Sequence, residues 1–209
     1  MPIALALNNS FICLVKMKYK EQHIFKTNTS PHPGCLLLAD PFLDQEHFVR
    51  AVILLIEHNE EESFGLVLNH PTELHLNDLT HLSNLELPIY SGGPVGSDQL
   101  FYLHRFSNID GALQINEQLY FGGAWQQVLK KAQLAKTPQK QLRIFRGYAG
   151  WGAQQLDAEV AEHAWICLPT IHEKTWLQTD PSTLWKKYLL DLGPDLSVFA
   201  HFPLHLADN

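Results

Sequence analysis

Three short apolar runs stand close together in the first third of the chain: Gly34–Ala39 (GCLLLA), Ala51–Glu57 (AVILLIE) and Phe64–Asn69 (FGLVLN). Each is too short for a buried helix and too continuous for a strand with one wet face. They predict strands covered on both sides. Asp40-Pro41 ends the first run, and Asp44 is placed to cap a short helix through about Arg50. The polar turn Asn59–Ser63 joins the second run to the third, so 51–69 predicts a hairpin that Pro71 stops.

The remainder alternates. Leu76–Leu82 predicts a short helix. Leu87–Tyr90 predicts a strand running into the turn Ser91-Gly92-Gly93-Pro94. Leu100–Arg105 and Ala112–Ile115 predict further strands. Ala124–Ala135 predicts a helix with Trp125, Val128, Leu129 and Ala132 on one face. Leu142–Tyr148 alternates apolar and basic residues, which predicts one buried and one wet face. Gln154–His163 and Thr183–Leu192 predict helices, the second ended by Gly193-Pro194, with a closing strand at Trp165–Leu168 between them. Strands joined partly by tight turns and partly by helices predict an α+β fold. The expectation is a single domain with a mixed, largely antiparallel curved sheet flanked by helices. The domain is read as 34–209, and 1–33 as a leader or extended arm with Met17 as an alternative start.

A chain of 209 residues buries enough surface to stand without disulfide or metal. Its three cysteines, Cys13, Cys35 and Cys167, are odd in number and far apart. They predict no disulfide framework and a reducing, cytoplasmic setting. Cys35, in an apolar strand with no nearby base, reads as an inert buried thiol. No apolar run reaches membrane-span length, so no membrane partner is expected.

The net charge of −7 hides an asymmetry. From Thr27 to His104 eleven acidic residues face one basic residue, Arg50; from Gln118 to Leu156 there are six basic residues and no acidic one. The second stretch offers Lys130, Lys131, Arg143 and Arg146 as contacts for an anion or nucleic acid; the alternative is a solvated helix face. No helix-turn-helix accompanies it, so direct DNA binding has no motif behind it.

The strongest local motif is Arg146-Gly147-Tyr148-Ala149-Gly150-Trp151-Gly152 before a helix, which reads as strand, glycine-rich turn and helix. Such a turn can hold an anion at the helix start, or it can be a tight turn with Trp151 as a core plug. Ser91–Val95 is a second glycine turn, and the two together would frame a pocket. Glu57-His58, at a strand end, fits either a general base with its orienter or a structural histidine. The twelve histidines show no metal-ligand spacing, and no metal or cofactor is predicted.

Taken together, the motifs resemble the YqgE/AlgH family. They are Leu37-Leu38-Ala39-Asp40-Pro41, Asp44 with Phe48-Val49-Arg50, Glu57-His58-Asn59, Gly65–Pro71, Gly92–Val95, Leu103-His104, and Gly147–Trp151 with Gln155-Leu156 and Glu159. The likeness runs from about residue 34 to about 190. Ala51 stands where a Ser is usual, His70 where a basic residue is common, and Ala153-Gln154 where a glycine-richer turn is usual. The resemblance implies a single α+β domain in the bacterial cytoplasm and a regulatory role in transcription, linked in some members to polysaccharide synthesis. It keeps His104 as well as His58 among the functional histidines.

Three functions follow as expectations. The first is a regulatory protein acting on transcription indirectly, through a protein partner or small ligand. The second is an enzyme, or a binder of small anions, with Arg50, His58, Asn69, Gly92, Gly93, His104, Gly150, Trp151 and Gln155 around one cleft; no catalytic residue is assigned. The third is a weak nucleic-acid binder using the 130–146 basic segment.

Overall fold

The computed structural model describes residues 29–79, 85–169, 177 and 179–201. The three apolar runs become β1 (Leu36–Ala39), β2 (Val52–His58) and β3 (Glu62–Val67), and every β1 side chain is buried. β4 (Pro71–His75), β5 (Pro88–Ser91), β6 (Val95–His104), β7 (Ala112–Asn116), β8 (Leu119–Gly122), β9 (Leu142–Gly152) and β10 (Trp165–Leu168) follow. The helices are α1 (Leu76–Leu79), α2 (Trp125–Leu134), α3 (Gln155–Ala161), α4 (Pro181–Asp191) and α5 (Pro194–Ser197). None of the described helices is long and apolar enough to cross a membrane.

The strands form one ten-stranded sheet whose main path is β10-β1-β2-β3-β9-β6-β8-β7. β5 pairs β9 in parallel and carries β4 on its other edge; the remaining pairings are antiparallel. This is the expected α+β domain. The curl of the sheet is severe. β9 and β10 stand four places apart, roughly 19 Å in a flat sheet, yet the rings of Trp151 and Trp165 lie 6.0 Å apart. At the other side Gly34, just before β1, faces Ile115 of β7.

One core fills the curl, from Leu36–Ala39 and Ala51–Ile56 to Trp151, Trp165, Leu184 and Trp185. A second core lies under α2, where Val128, Leu129 and Ala132 are buried against Leu76, Ile89, Leu142 and Ile144. The predicted helical stripe is therefore the buried one.

Several expectations change. Pro71 does not end the sheet: it is the first residue of β4, where a missing N–H is tolerated, and it pairs with Tyr90. β8 has no counterpart in the sequence reading. The short helix after Asp44 is a single 3-10 turn, Glu46–Phe48, without a side-chain cap. The stretch 147–152 is no turn: β9 runs straight through it, and the chain reverses only at Ala153-Gln154. In Leu142–Tyr148 both faces are buried as far as Phe145, because Leu142 and Ile144 face the core under α2 while Phe145 faces the main core. The cysteines are not all far apart in space, since Cys35 and Cys167 touch. The leader and Met17 lie outside the described residues, as does the second half of the predicted helix 76–82.

Candidate functional site

The two glycine segments meet directly. Ser91 pairs with Arg146 on one edge of β9, and Val95 pairs with Tyr148 on the other. Gly92–Pro94 must therefore cross over β9, and it does so at Gly147. Gly92 N donates to Arg146 O, and Gly92 O accepts from Val67 N. A Cβ on Gly92 would lie 2.1 Å from Gly147 O, and one on Gly93 would lie 2.2 Å from the Tyr148 carbonyl carbon. Gly147 itself has φ +72. These glycines serve a backbone crossing, with no space for a ligand between them. Gly150 opposes Phe64 and leaves room for the Tyr148 ring.

Arg50 and Asn69 sit together at the start of β2. Asn69, 7% exposed, accepts from Val52 N through Oδ1 and donates through Nδ2 to Arg50 O. Its amide is thereby used on the backbone, and it holds Arg50 in a left-handed conformation with φ 52. The Arg50 guanidinium lies 5.1 Å from the Trp185 ring, and burial lowers its pKa. Trp185 in turn donates Nε1–H to Ala39 O.

His58 lies at the far end of β2, so the seven-residue strand separates it from Arg50 by roughly 20 Å. One first shell cannot contain both. The His58 Nδ1 is 2.8 Å from Ser63 Oγ, and its Nε2 is 3.8 Å from Asp157 Oδ1 on α3. Serine, histidine and aspartate in this order suggest a nucleophilic triad, but the burial is inverted. Ser63 is 5% exposed, whereas the Asp157 side chain is 56% exposed. A nucleophile must meet substrate and its orienting carboxylate should be sheltered, so the arrangement ties the β2–β3 hairpin to α3.

Beside it, Trp151 and Trp165 both donate their indole N–H to Oε2 of Glu159, at 2.9 and 2.8 Å. Gln155 donates to Oε1 of the same carboxylate and accepts from Gly152 N. Glu159 clasps β9 to β10 across the curl. The structure thus groups His58, Trp151 and Gln155 near α3, Gly150 beside Tyr148 and Val95, and Arg50 with Asn69 elsewhere. His104 is buried apart from both, with Nε2–H donating to Gly122 O and Nδ1 accepting from Phe106 N.

The basic segment divides. Lys130 is exposed on α2, while Lys131 donates to Ser107 O. Arg146 is exposed and donates to Ser97 O. Arg143 is 6% exposed, donates to Leu68 O, and lies over the Tyr90 ring at 4.3 Å. Burial lowers its pKa. Arg143 is therefore no surface contact for a phosphate backbone. It stands on one wall of an open cavity of about 650 Å³ whose lining includes Glu86 and Asp180, so the charges there are of both signs. Among the described residues no group of His, Cys, Asp and Glu is arranged to hold a metal ion.

The sequence reading missed an aromatic cluster at the surface. Phe64 of β3, Phe101 of β6, Phe121 of β8 and Tyr148 of β9 are each partly exposed, with ring centroids 4.8 to 6.3 Å apart. Leu113, paired with Phe121 across β7 and β8, is 50% exposed, and Val95 adjoins at the position paired with Tyr148. A single sequence carries no signal for this cluster, because its members meet only through cross-strand register.

The AlgH-like family model, DUF179, matches residues 36–197. The chain belongs to the AlgH-like family. A UPF0301 protein of Bacteroides fragilis, BF2109, is 40% identical over 187 residues, covering 86% of this chain and 94% of that one. One from Bacteroides thetaiotaomicron is 35% identical, covering 88% and 95%. The solution structure of AlgH from Pseudomonas aeruginosa superposes with a TM-score of 0.63 at 29% identity, covering 86% of this chain and all of that one. Protein DIP2367 from Corynebacterium diphtheriae shares the fold, with a TM-score of 0.67 at 21% identity over 85% and 95% of the two chains. Within this AlgH-like chain, the residues that carry the family likeness include both the glycine crossing and the Glu159 clasp.

Proposed function

We propose that this AlgH-like chain is a regulatory protein that acts by binding a protein partner on the Phe64–Phe101–Phe121–Tyr148 cluster. The carrying observation is the cluster itself: four partly exposed rings, each against at least two of the others, bordered by exposed Leu113 and Val95. Exposed contiguous aromatic surface is the usual anchor of a protein interface. Charge favours a protein over nucleic acid. Glu60, Glu61 and Glu62 are exposed on the hairpin turn that leads into Phe64, so the partner's contact surface combines apolar side chains with a basic rim. The family resemblance supplies the regulatory expectation, and the inverted burial at Ser63 and Asp157 favours binding over catalysis.

The test replaces the chromosomal gene with Leu113→Glu/Val95→Asp. The double variant should reproduce the transcript changes of a deletion strain, while the purified protein keeps the parent's thermal midpoint. Parent-like transcripts would overturn the reading. So would a parent dimer that the double variant dissolves, since the occupant would then be a second copy. Direct nucleic-acid binding is checked by anisotropy on generic duplex at two salt concentrations, with Lys130→Ala/Lys131→Ala/Arg146→Ala as the comparison.

A further inference from the structure

Cys35 and Cys167 come from opposite ends of the domain, 132 positions apart, and their sulfurs lie 3.5 Å from one another. Cys167 of β10 pairs with Leu37 of β1, and Cys35 stands two residues before Leu37. The cysteines are therefore diagonal neighbours on one face of an antiparallel pair. The twist of the sheet draws one diagonal of each such pair together, and the sulfur separation identifies this as the close one. Both side chains are fully buried, but each is near a chain exit. Cys35 follows the exposed turn at Pro33, Cys167 precedes exposed Pro169, and β10 is the outermost strand of the path.

We infer that Cys35 and Cys167 form a reversible dithiol–disulfide site, oxidised by hydrogen peroxide and reduced by two equivalents of a thiol, which leave as their own disulfide. The two sulfurs are not equivalent. Cys167 donates its S–H to Cys35, and the backbone N–H of His32 also points to the Cys35 sulfur at 3.5 Å. These donors lower the Cys35 thiol's pKa despite its burial, whereas the Cys167 thiol is pushed up by the same contact and by burial. Cys35 is thus the attacking thiolate.

In the first step the Cys35 thiolate attacks one peroxide oxygen and the O–O bond breaks. The departing hydroxide takes up a proton as water, and Cys35 becomes a sulfenic acid. In the second step the Cys167 sulfur attacks the Cys35 sulfur. The S–O bond breaks, the oxygen leaves as water carrying the Cys167 proton, and the S–S bond forms. Two thiols supply the two electrons that reduce the peroxide to two waters. Closing from 3.5 Å to a bond of about 2.05 Å draws the ends of β1 and β10 together. The product tethers the edge strand to the core and closes a long loop, so the oxidised form melts higher.

The experiment uses the full chain carrying Cys13→Ser, treated with hydrogen peroxide and then alkylated in denaturant. The expected result is a loss of two hydrogens in the intact mass, a Cys35–Cys167 cross-linked peptide, a raised thermal midpoint, and full reversal by dithiothreitol. With Cys167→Val added, dimedone should label Cys35 as the trapped sulfenic acid. Two alkylated thiols after treatment that fully oxidises a thioredoxin-type dithiol would overturn the inference. A cross-link that forms only in denaturant, or one that in the parent joins Cys13 instead, would overturn it as well.

Discussion

Gly92 and Gly147 touch backbone to backbone: any side chain on Gly92 would overlap the Gly147 carbonyl oxygen, 2.1 Å from the position of its Cβ. The contact exists because β5 and β6 lie on opposite edges of β9 and the link between them is only three residues long, Gly92–Pro94. Glycine at these positions is a demand of topology.

Gly92→Ala should therefore destabilise by about 3–5 kcal/mol, the range of severe backbone and packing conflicts. Gly122→Ala is the control. Gly122 has a positive φ, which Gly92 does not, but nothing lies within 4 Å of its Cβ position, so only conformational strain of about 1 kcal/mol is expected. Urea unfolding of both variants measures the difference, and a Gly92→Ala cost no larger than that of Gly122→Ala would show that the crossing tolerates a side chain.

Asn69→Ala removes the acceptor of Val52 N–H and the donor to Arg50 O in a buried setting. The expected loss is about 2–3 kcal/mol. Amide exchange should accelerate at Val52 first, because that N–H loses its described partner.

Glu159→Gln replaces a carboxylate that accepts from two indoles with an amide. Stability should fall by about 2 kcal/mol, and tryptophan emission should shift to the red as Trp151 and Trp165 separate. Unchanged emission would mean that the rings, 6.0 Å apart, are held by packing alone.

His70 and His104 both have pKa values lowered from 6.5 by burial. Above 6.5 neither the folded nor the unfolded chain carries these protons. As pH falls below 6.5 the unfolded chain binds them first, so stability drops through the window down to the native values and then levels off. His104→Gln should flatten this slope on the acid side of pH 6.5. Denaturant midpoints across that range give the answer.

What the sequence made legible were features written in local pattern. The runs at 34–39, 51–57 and 64–69 announce strands because they are short and almost continuously apolar, and α2 announces its buried stripe through 3.6-residue spacing. Arg143 misleads for the same reason. An alternating strand predicts a wet face for it, and only the flanking β5, which brings Tyr90 over the guanidinium, makes that face an interior. Of the candidate site, the family motifs marked real neighbours in His58, Trp151 and Gln155, but proximity in a motif list joined them to Arg50, which β2 holds at its other end. The aromatic cluster and the Cys35–Cys167 contact are properties of register between distant strands, and local pattern holds no record of either.

The central position of β9 also governs biosynthesis. β3, β5 and β6 all hydrogen-bond to residues 142–152, so a growing chain that has not yet reached Leu142 carries three strands with their inner edges bare. Such edges invite pairing with neighbouring nascent chains. Fragments ending before Leu142 should aggregate when expressed, and the intact chain should draw on ribosome-associated holding factors until its eleven-residue ninth strand emerges.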